Sequence, residues 1–346
     1  MGDSVLIVAT KNFGLDFTGA TFATQMLLER WVRSFSRVAV VAMAAGEVSE
    51  KVAQAGNVEV RVRGSAPAFC AAVRALCREN PGAVLYSDDH MLGVLGPTGV
   101  RTVHTYHGNW PDIRRSSAEM LLKSLVFMPL YERAFRACDC AVTVSRYMQG
   151  YVARTAPRVE LIRNGMGRRR AEDAGGGPRE NILMVGTVDR RKYAEAVPVV
   201  RRLASMAPGC EVHVYGNVAC QSVARALAAQ PNVRLMGFSG DIRFSSYRAL
   251  LCCSRFENLS IAVCEAIDAR TPVAAYAVGG IPEVVNERNG VLVEPFRADE
   301  LACAAAGIAC GGIALPGDRS PLDEFDWDRS AARYLEVFAS VEGRRR

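Results

Sequence analysis

Residues 254–283 read SRFENLSIAVCEAIDARTPVAAYAVGGIPE, a polar segment followed by an amphipathic one and then a short apolar run. Apolar residues recur at helical spacing over 261–269, and this pattern predicts a helix. The run over 272–276 is short and apolar, which is typical of a buried strand. A helix that leads directly into a buried strand is the repeating unit of a parallel α/β sheet.

The same alternation continues on both sides of this stretch. Further predicted elements of the second half are strands over 181–185, 211–215 and 233–236 and helices over 194–207 and 222–229. Those of the first half are strands over 5–10, 37–42, 58–62, 84–86 and 102–106 and helices over 22–35 and 68–78. Strands that alternate with helices at this spacing predict parallel sheets with helices on both faces.

One segment without apolar periodicity separates the two halves. Residues 163–179 contain an Asn-Gly pair, three consecutive arginines and a Gly-Gly-Gly-Pro run. This composition is typical of a linker, so we expect two successive doubly wound α/β domains of similar size. Ligands bind at the carboxyl ends of the strands in such sheets, and two facing domains predict a deep cleft.

Composition excludes several protein classes. Of the 346 residues, 50% are apolar and 23% are charged, as in globular domains. No apolar run reaches the roughly 18 residues that span a bilayer, and the N-terminus lacks the basic start of a signal peptide. We therefore expect a soluble, cytoplasmic protein. Eleven cysteines without a C-x-x-C pair and four histidines without ligand spacing predict neither a disulfide framework nor a metal site.

The net charge of +6 belongs to the first half: residues 1–175 carry 22 Lys and Arg against 16 Asp and Glu, whereas the remainder carries 20 of each. The pI of about 8.8 is modest, and no aromatic–basic interleaving indicates nucleic acid. Basic residues flank an apolar stretch over 120–131: Arg114, Arg115, Lys123, Arg133 and Arg136. That stretch either lies on anionic lipid at the inner face of the membrane or forms a core helix with solvated flanks, and the sequence favours the core helix.

Two glutamates of the quoted stretch lie eight residues apart. Glu257 precedes the predicted helix and Glu265 lies in its first turns, so both can face a pocket at the helix N-terminus. Backbone N–H groups over 259–262, aided by the helix dipole, suit a phosphate there. Taken alone, the two residues also fit a surface acid and an exposed helical glutamate.

The stretch resembles the E-x7-E signature of the retaining glycosyltransferases of family 4, whose GT-B fold has two doubly wound, Rossmann-like domains facing across a cleft. The resemblance covers residues 100–340 well and residues 1–100 weakly. Further motifs follow in the family's order: the histidine loop over 106–108, a helix–strand segment over 136–145, an Asn-Gly turn over 161–165, segments over 271–273, 278–285 and 289–295, and Phe325-Asp-Trp327, which opens a helix crossing back to the first domain.

This resemblance implies four segments. They are an acceptor-side domain over 1–165, a linker over 166–180, a nucleotide-sugar-binding domain over 181–325, and the returning helix with a basic tail over 326–346.

The resemblance also implies roles for the matching residues. Glu257 contacts the transferred sugar near the reacting centre, and His107 faces that sugar from the first domain. Glu265 accepts hydrogen bonds from the donor ribose, and the backbone amides over 259–261 meet the diphosphate. Gly19 lets phosphate or acceptor approach the backbone closely.

A loop of the second domain supplies positive charge. Breaking a sugar–diphosphate bond develops negative charge on the leaving oxygen, which a nearby cation stabilises without a metal ion. Lys192 matches the family's lysine, but Thr187 stands where the family has arginine and Tyr193 where it has glycine. Either Arg190 or Arg191 supplies the missing charge, or the donor pocket is altered, or catalysis is lost.

We therefore expect a metal-independent retaining glycosyltransferase that moves a hexose from a nucleotide-diphosphate sugar to an anionic or lipid-linked acceptor, which is a glycan, a lipid-linked molecule or a small molecule. Two alternatives stay open, a catalytically impaired nucleotide-sugar-binding protein and a nucleotide-sugar epimerase of the same architecture. The expected catalytic residues are Glu257, His107 and Lys192. The expected donor-binding residues are Gly19, Arg191, Lys192, Leu259, Ser260, Ile261 and Glu265.

Three other patterns are set aside. Cys264-x5-Arg270 has the spacing of a phosphatase loop but falls in a predicted helix. Asp88-Asp89-His90 has the residue types of a metal site, yet two sheet domains favour a plain loop. The chain has neither G-x-G-x-x-G nor G-x-x-x-x-G-K-[ST], which argues against dinucleotide oxidoreductases and P-loop enzymes.

Overall fold

A computed structural model describes residues 4–15, 19–166 and 179–341. The chain divides into two compact units, the first comprising Met1–Gly165 and Glu324–Arg346 and the second Met166–Asp323. Most of the predicted linker and the arginines of the predicted basic tail lie outside the described residues.

The first unit is built on a parallel sheet, which has seven strands within the described residues. They are β1 Val5–Phe13, β2 Arg37–Ala45, β3 Val58–Val62, β4 Val84–Ser87, β5 Arg101–Tyr106, β6 Cys140–Thr143 and β7 Val159–Leu161. Their order is β3-β2-β1-β4-β5-β6-β7, so the strand order reverses between β1 and β4. Ligands of open parallel sheets bind at the carboxyl ends beside such a reversal.

Helices cover both faces of this sheet. They are α1 Ala20–Trp31, α2 Glu50–Ala53, α3 Ala66–Glu79, α4 Met91–Leu95, α5 Trp110–Ile113, α6 Ala118–Ala137 and α7 Arg146–Val152. Successive strand residues face opposite sides. Accordingly, Leu6 and Val8 of β1 pack in one apolar cluster, and Ile7 and Ala9 pack in the other.

The second unit repeats the plan with a six-stranded parallel sheet of order β10-β9-β8-β11-β12-β13, again counted within the described ranges. Its strands are β8 Glu180–Val185, β9 Val212–Tyr215, β10 Val233–Gly237, β11 Tyr247–Cys252, β12 Val273–Tyr276 and β13 Gly290–Val293. Its helices are α8 Arg190–Tyr193, α9 Ala196–Met206, α10 Gln221–Ala228, α11 Ile261–Asp268 and α12 Ala298–Ala309. The reversal lies between β8 and β11.

The last helix, α13 Trp327–Ser340, belongs to the first unit. Trp31 of α1 makes edge-on ring contacts with Tyr86, Tyr334 and Phe338, at centroid distances of 5.1, 5.2 and 5.1 Å. All four rings are buried. This aromatic cluster explains why the chain returns after the second unit, and the predicted return of the last helix is confirmed.

The structure adds a short helix before the helix predicted over 194–207. The helix predicted over 194–207 is preceded by a separate turn, α8, because Asp189 caps a helix start by accepting from the backbone N–H groups of Arg191 and Lys192 at 2.8 and 3.0 Å. Lys192 therefore lies in a capped helical turn, not in an irregular loop.

The core-helix interpretation of residues 120–131 is wrong. These residues belong to α6, where Leu121, Leu122, Leu125 and Val126 are between 52% and 67% exposed. The buried residues of α6 are Ser124, Ala134 and Phe135, on the other side of the helix. Within the described part of the chain, no helix is both long and apolar enough to span a bilayer.

Candidate functional site

Lys192 and Glu257 come together at the carboxyl ends of β8 and β11, beside the reversal of the second sheet. Lys192 Nζ lies 3.2 Å from Glu257 Oε1, and the two side chains are 26% and 11% exposed. Ser254 Oγ donates to the same Oε1 at 2.9 Å. The carboxylate raises the pKa of Lys192, because its charge favours the ammonium more strongly than burial opposes it. A paired cation thus stands at this edge at neutral pH.

Backbone contacts hold the two loops in register. The N–H of Arg255 donates to the carbonyl of Arg191 at 2.9 Å, and that of Gly280 donates to the carbonyl of Asn258 at 2.8 Å. Gly279 has φ +58°, and a Cβ there would overlap the Glu257 carbonyl oxygen. Only glycine fits this position, so the Val-Gly-Gly-Ile motif supports the loop that carries Glu257.

The N-terminus of α11 adjoins this pair. Lys192, Ser254, Ser260 and Ala262 line one narrow pocket. Ser260 is the N-cap residue, and its side chain makes no capping hydrogen bond. The first N–H groups of a helix have no intrahelical acceptor and carry the positive end of its dipole. This end of α11 therefore suits an anion.

The other predicted residues of the second unit lie around the same helix. Leu259 is partly exposed directly before the cap, Ile261 is exposed in the first turn, and Glu265 is partly exposed in the second turn. The structure brings these positions to one helix start, as the spacing predicted, while their individual roles stay predictions.

The departures from the family pattern fall into distinct environments. Tyr193 is buried, and its hydroxyl donates to the Gly186 carbonyl at 3.2 Å, so this tyrosine braces the β8–α8 loop. Arg191 donates to the Asp189 carboxylate at 2.8 and 3.0 Å. Its guanidinium is therefore engaged by its own helix cap. Thr187 is partly exposed on the same loop.

His107 of the first unit follows β5. Burial lowers the pKa of His107 to about 4, so the imidazole is neutral at pH 7. Its Nε2 is buried and has no hydrogen-bond partner among the residues that the structure describes. The buried His104 contacts Ser87 Oγ through Nδ1 at 2.7 Å, and its Nε2 likewise has no partner within the described residues. His107 therefore keeps one buried ring nitrogen unpaired within the described residues.

Gly19 is the N-cap residue of α1, with φ +66° and open space where a Cβ would project. It lies after the carboxyl end of β1, next to the reversal of the first sheet. Residues 16–18, which precede it, lie outside the described ranges. Its role in binding stays a prediction.

Asp88 is a candidate that the sequence interpretation passed over as a plain loop. It follows β4 and is buried, and its Oδ2 accepts from Thr24 Oγ1 at 2.5 Å. Its Oδ1 is also buried and has no partner within the described residues. Burial, and secondarily the neighbouring Asp89 carboxylate, raise the pKa of Asp88 to about 7. The signal was present, since a polar pair directly follows a buried strand.

Asp89 has a structural task. It accepts a hydrogen bond from the backbone N–H of Lys11, which ties β1 to the segment after β4, and one from the N–H of Met91 at the start of α4. Among the described residues, no three His, Cys, Asp or Glu side chains form a cluster that could hold a metal ion. All eleven cysteines, each in a described range, are free thiols.

Family models match both units. Residues 17–168 match the model of Glycosyltransferase Family 4, and residues 179–309 match that of Glycosyl transferases group 1. The chain is 30% identical over 296 residues to the alpha-maltose-1-phosphate synthase of Mycolicibacterium smegmatis. This alignment covers 73% of this chain and 76% of that relative.

Solved structures show the same fold. The sucrose-phosphate synthase of Thermosynechococcus elongatus superposes with a TM-score of 0.75 at 18% identity, covering 98% of this chain and 100% of its own. HepE of Anabaena in complex with UDP gives a TM-score of 0.73 at 18% identity with the same coverage. The two sheets described above are thus those of the GT-B fold.

Proposed function

Since this chain belongs to glycosyltransferase family 4 and is a glycosyltransferase with the GT-B fold, we propose that it is a retaining enzyme. It transfers a hexose from a nucleotide-diphosphate sugar to a hydroxyl group of a glycan or lipid-linked acceptor. The second unit binds the donor. The UDP complex of the Anabaena protein supports a UDP-sugar as the first donor to test.

The Lys192–Glu257 pair carries the proposal. Its position beside the start of α11 puts an ammonium group and helix N–H donors at one sheet edge. A diphosphate that binds there is neutralised before reaction and stabilised further as the leaving oxygen gains charge. Because Lys192 supplies a fixed cation, the reaction proceeds without a metal ion.

The chemistry balances without a protein base. The bond between the anomeric carbon and the diphosphate oxygen breaks as a bond to the acceptor oxygen forms on the same face. The leaving phosphate accepts the acceptor's hydroxyl proton. Glu257 contacts the transferred sugar and holds Lys192, while Glu265 binds the ribose. His107, neutral because its pKa is lowered, accepts or donates a hydrogen bond to the sugar.

The test is donor turnover by Lys192→Met and Glu257→Gln. Both changes keep side-chain volume while removing the charge pair, and each should lower kcat by about a hundredfold or more. Arg202→Met is the matched control, because Arg202 is an exposed α9 arginine that pairs only loosely with Asp299, at 3.6 Å. Nucleotide release measured for the four proteins gives the comparison.

A wild-type kcat in Lys192→Met would show that Lys192 takes no part in the reaction. Thermal unfolding of each variant separates loss of fold from loss of chemistry. Thr187, in place of the family's arginine, favours one alternative, a protein that binds the donor without turning it over. Calorimetric donor binding without nucleotide release by the wild-type protein would select that alternative.

A further inference from the structure

The outward side of α6 is apolar. Leu121, Leu122, Leu125, Val126 and Pro129 are exposed and recur at positions i, i+1, i+4, i+5 and i+8, so they lie on one side of the helix. We call these five residues the α6 face. Single exposed apolar side chains are ordinary, but a contiguous exposed patch marks an interaction surface.

The opposite side anchors the helix to its unit. The ring of Phe127 stacks on Trp110 at 5.0 Å between centroids, with 18° between planes, and it meets His90 edge-on at 4.9 Å. Phe135 is fully buried. The α6 face is therefore presented outward by a helix packed along its inner side.

Basic residues stand at both ends of the α6 face. Arg114 and Arg115 precede the helix, and Arg133 and Arg136 follow the apolar turns on the same side; all four are exposed. Lys123 borders the patch and pairs with Glu119 at 2.6 Å. Glu132 contacts Arg136 at 3.6 Å. These five basic residues outnumber the two carboxylates, so the surface around the α6 face is net positive.

We propose that the α6 face docks on an anionic lipid bilayer, with its apolar side chains in the interfacial region and the flanking arginines at the headgroups. Apolar area and cationic charge on one surface are the two contributions that bind such a helix to anionic lipid. A second copy of the chain fits poorly. Parallel or antiparallel pairing of two α6 helices would bring like charges together, because both ends of the patch are basic.

The meaning of this docking for catalysis rests on the proposed transferase function. A first unit seated on the bilayer receives an acceptor whose hydroxyl is carried by a membrane lipid. Docking itself requires no donor, so it is measured separately from turnover.

Vesicle sedimentation tests the surface directly. The probes are vesicles of phosphatidylcholine alone and of equal parts phosphatidylcholine and phosphatidylglycerol. The wild-type protein should bind the anionic vesicles more tightly, and added salt should weaken this binding. Leu122→Ser/Leu125→Ser should lower the affinity about tenfold or more. Arg133→Gln/Arg136→Gln should lower it about fivefold for each charge.

Val62→Ser is the matched control, since Val62 is an exposed apolar residue at the end of β3 in the same unit. It should bind vesicles as the wild type does. Leu125→Trp adds a spectroscopic readout: its emission should shift to the blue with anionic vesicles, whereas that of Val62→Trp should not.

Three results would overturn the proposal. They are no preference for anionic vesicles, equal binding by Leu122→Ser/Leu125→Ser, and a wild-type dimer that this variant converts to a monomer. The serine variant should release nucleotide from a soluble donor at the wild-type rate. Vesicle binding without donor turnover would therefore support the docking surface and contradict the proposed transferase function.

Discussion

Asp88 is the residue whose placement works against the stability of the fold. Its carboxyl is buried beside Asp89, and its pKa rises from 3.8 to about 7. A buried carboxylate with an unpartnered oxygen lowers the free energy of unfolding, and so destabilises the protein, unless a ligand donates a hydrogen bond to it. Together with His107 Nε2 on the next strand end, the Asp88 carboxyl leaves two buried polar atoms without partners at adjacent strand ends of the first sheet, counted within the described residues.

Asp88→Asn should therefore stabilise the unliganded protein at alkaline pH. The folded state holds the Asp88 proton more tightly than the unfolded state, so this contribution to stability is present below pH about 4 and is lost as pH rises through about 7. Asparagine stays neutral throughout. At pH 8 the variant should gain on the order of a few kcal/mol in urea unfolding, and at pH 4 it should match the wild type. Equal stability at both pH values would contradict the buried, shifted carboxyl.

At the scale of elements, hydrophobic period predicted most strands and helices, because buried parallel strands and amphipathic helices differ in their spacing. It could not predict the short helix α8, since the start of that helix depends on the cap formed by Asp189. Nor could it decide which side of α6 is exposed, because the inner side is apolar as well, and only the contacts of Phe127 and Phe135 settle the orientation.

Gly279→Ala tests how the elements hold the site. The new methyl group overlaps the Glu257 carbonyl oxygen, and the alanine backbone must adopt φ +58°, which L side chains rarely do. The loop between β11 and α11 must therefore shift. We expect a loss of about 1–3 kcal/mol in the free energy of unfolding and a fall in nucleotide release. Gly240→Ala is the control, because a Cβ there meets no neighbour and its φ is not in the left-handed region. Equal effects of the two variants would show that the loop has no such constraint.

At the scale of the whole molecule, the alternation of strand and helix signals predicted two doubly wound units, and the resemblance to the family implied the return of the last helix. The sequence named Glu257 and Lys192 as candidate site residues. It could not predict the 3.2 Å contact between them, because that contact joins two loops 65 residues apart in the chain. Contacts such as that of Trp31 with Phe338 are equally invisible to local pattern, because they join opposite ends of the chain.

Phe338→Ala should separate the stabilities of the two units. The substitution removes a buried ring from the cluster around Trp31, and such a change costs about 3–5 kcal/mol. The loss should fall on the first unit, where α13 packs. Scanning calorimetry should show the transition of the first unit moving to lower temperature while that of the second unit keeps its position. A shift of both transitions by the same amount would contradict this assignment.

The most direct measurement of the central claim is nucleotide release from a panel of UDP-, GDP- and ADP-sugars, with and without EDTA, in wild type and Lys192→Met. A donor site built on the Lys192–Glu257 pair predicts slow release from one donor class by the wild type, unchanged by EDTA and lost in the variant. Release that EDTA abolishes, or that the variant retains, would contradict the account.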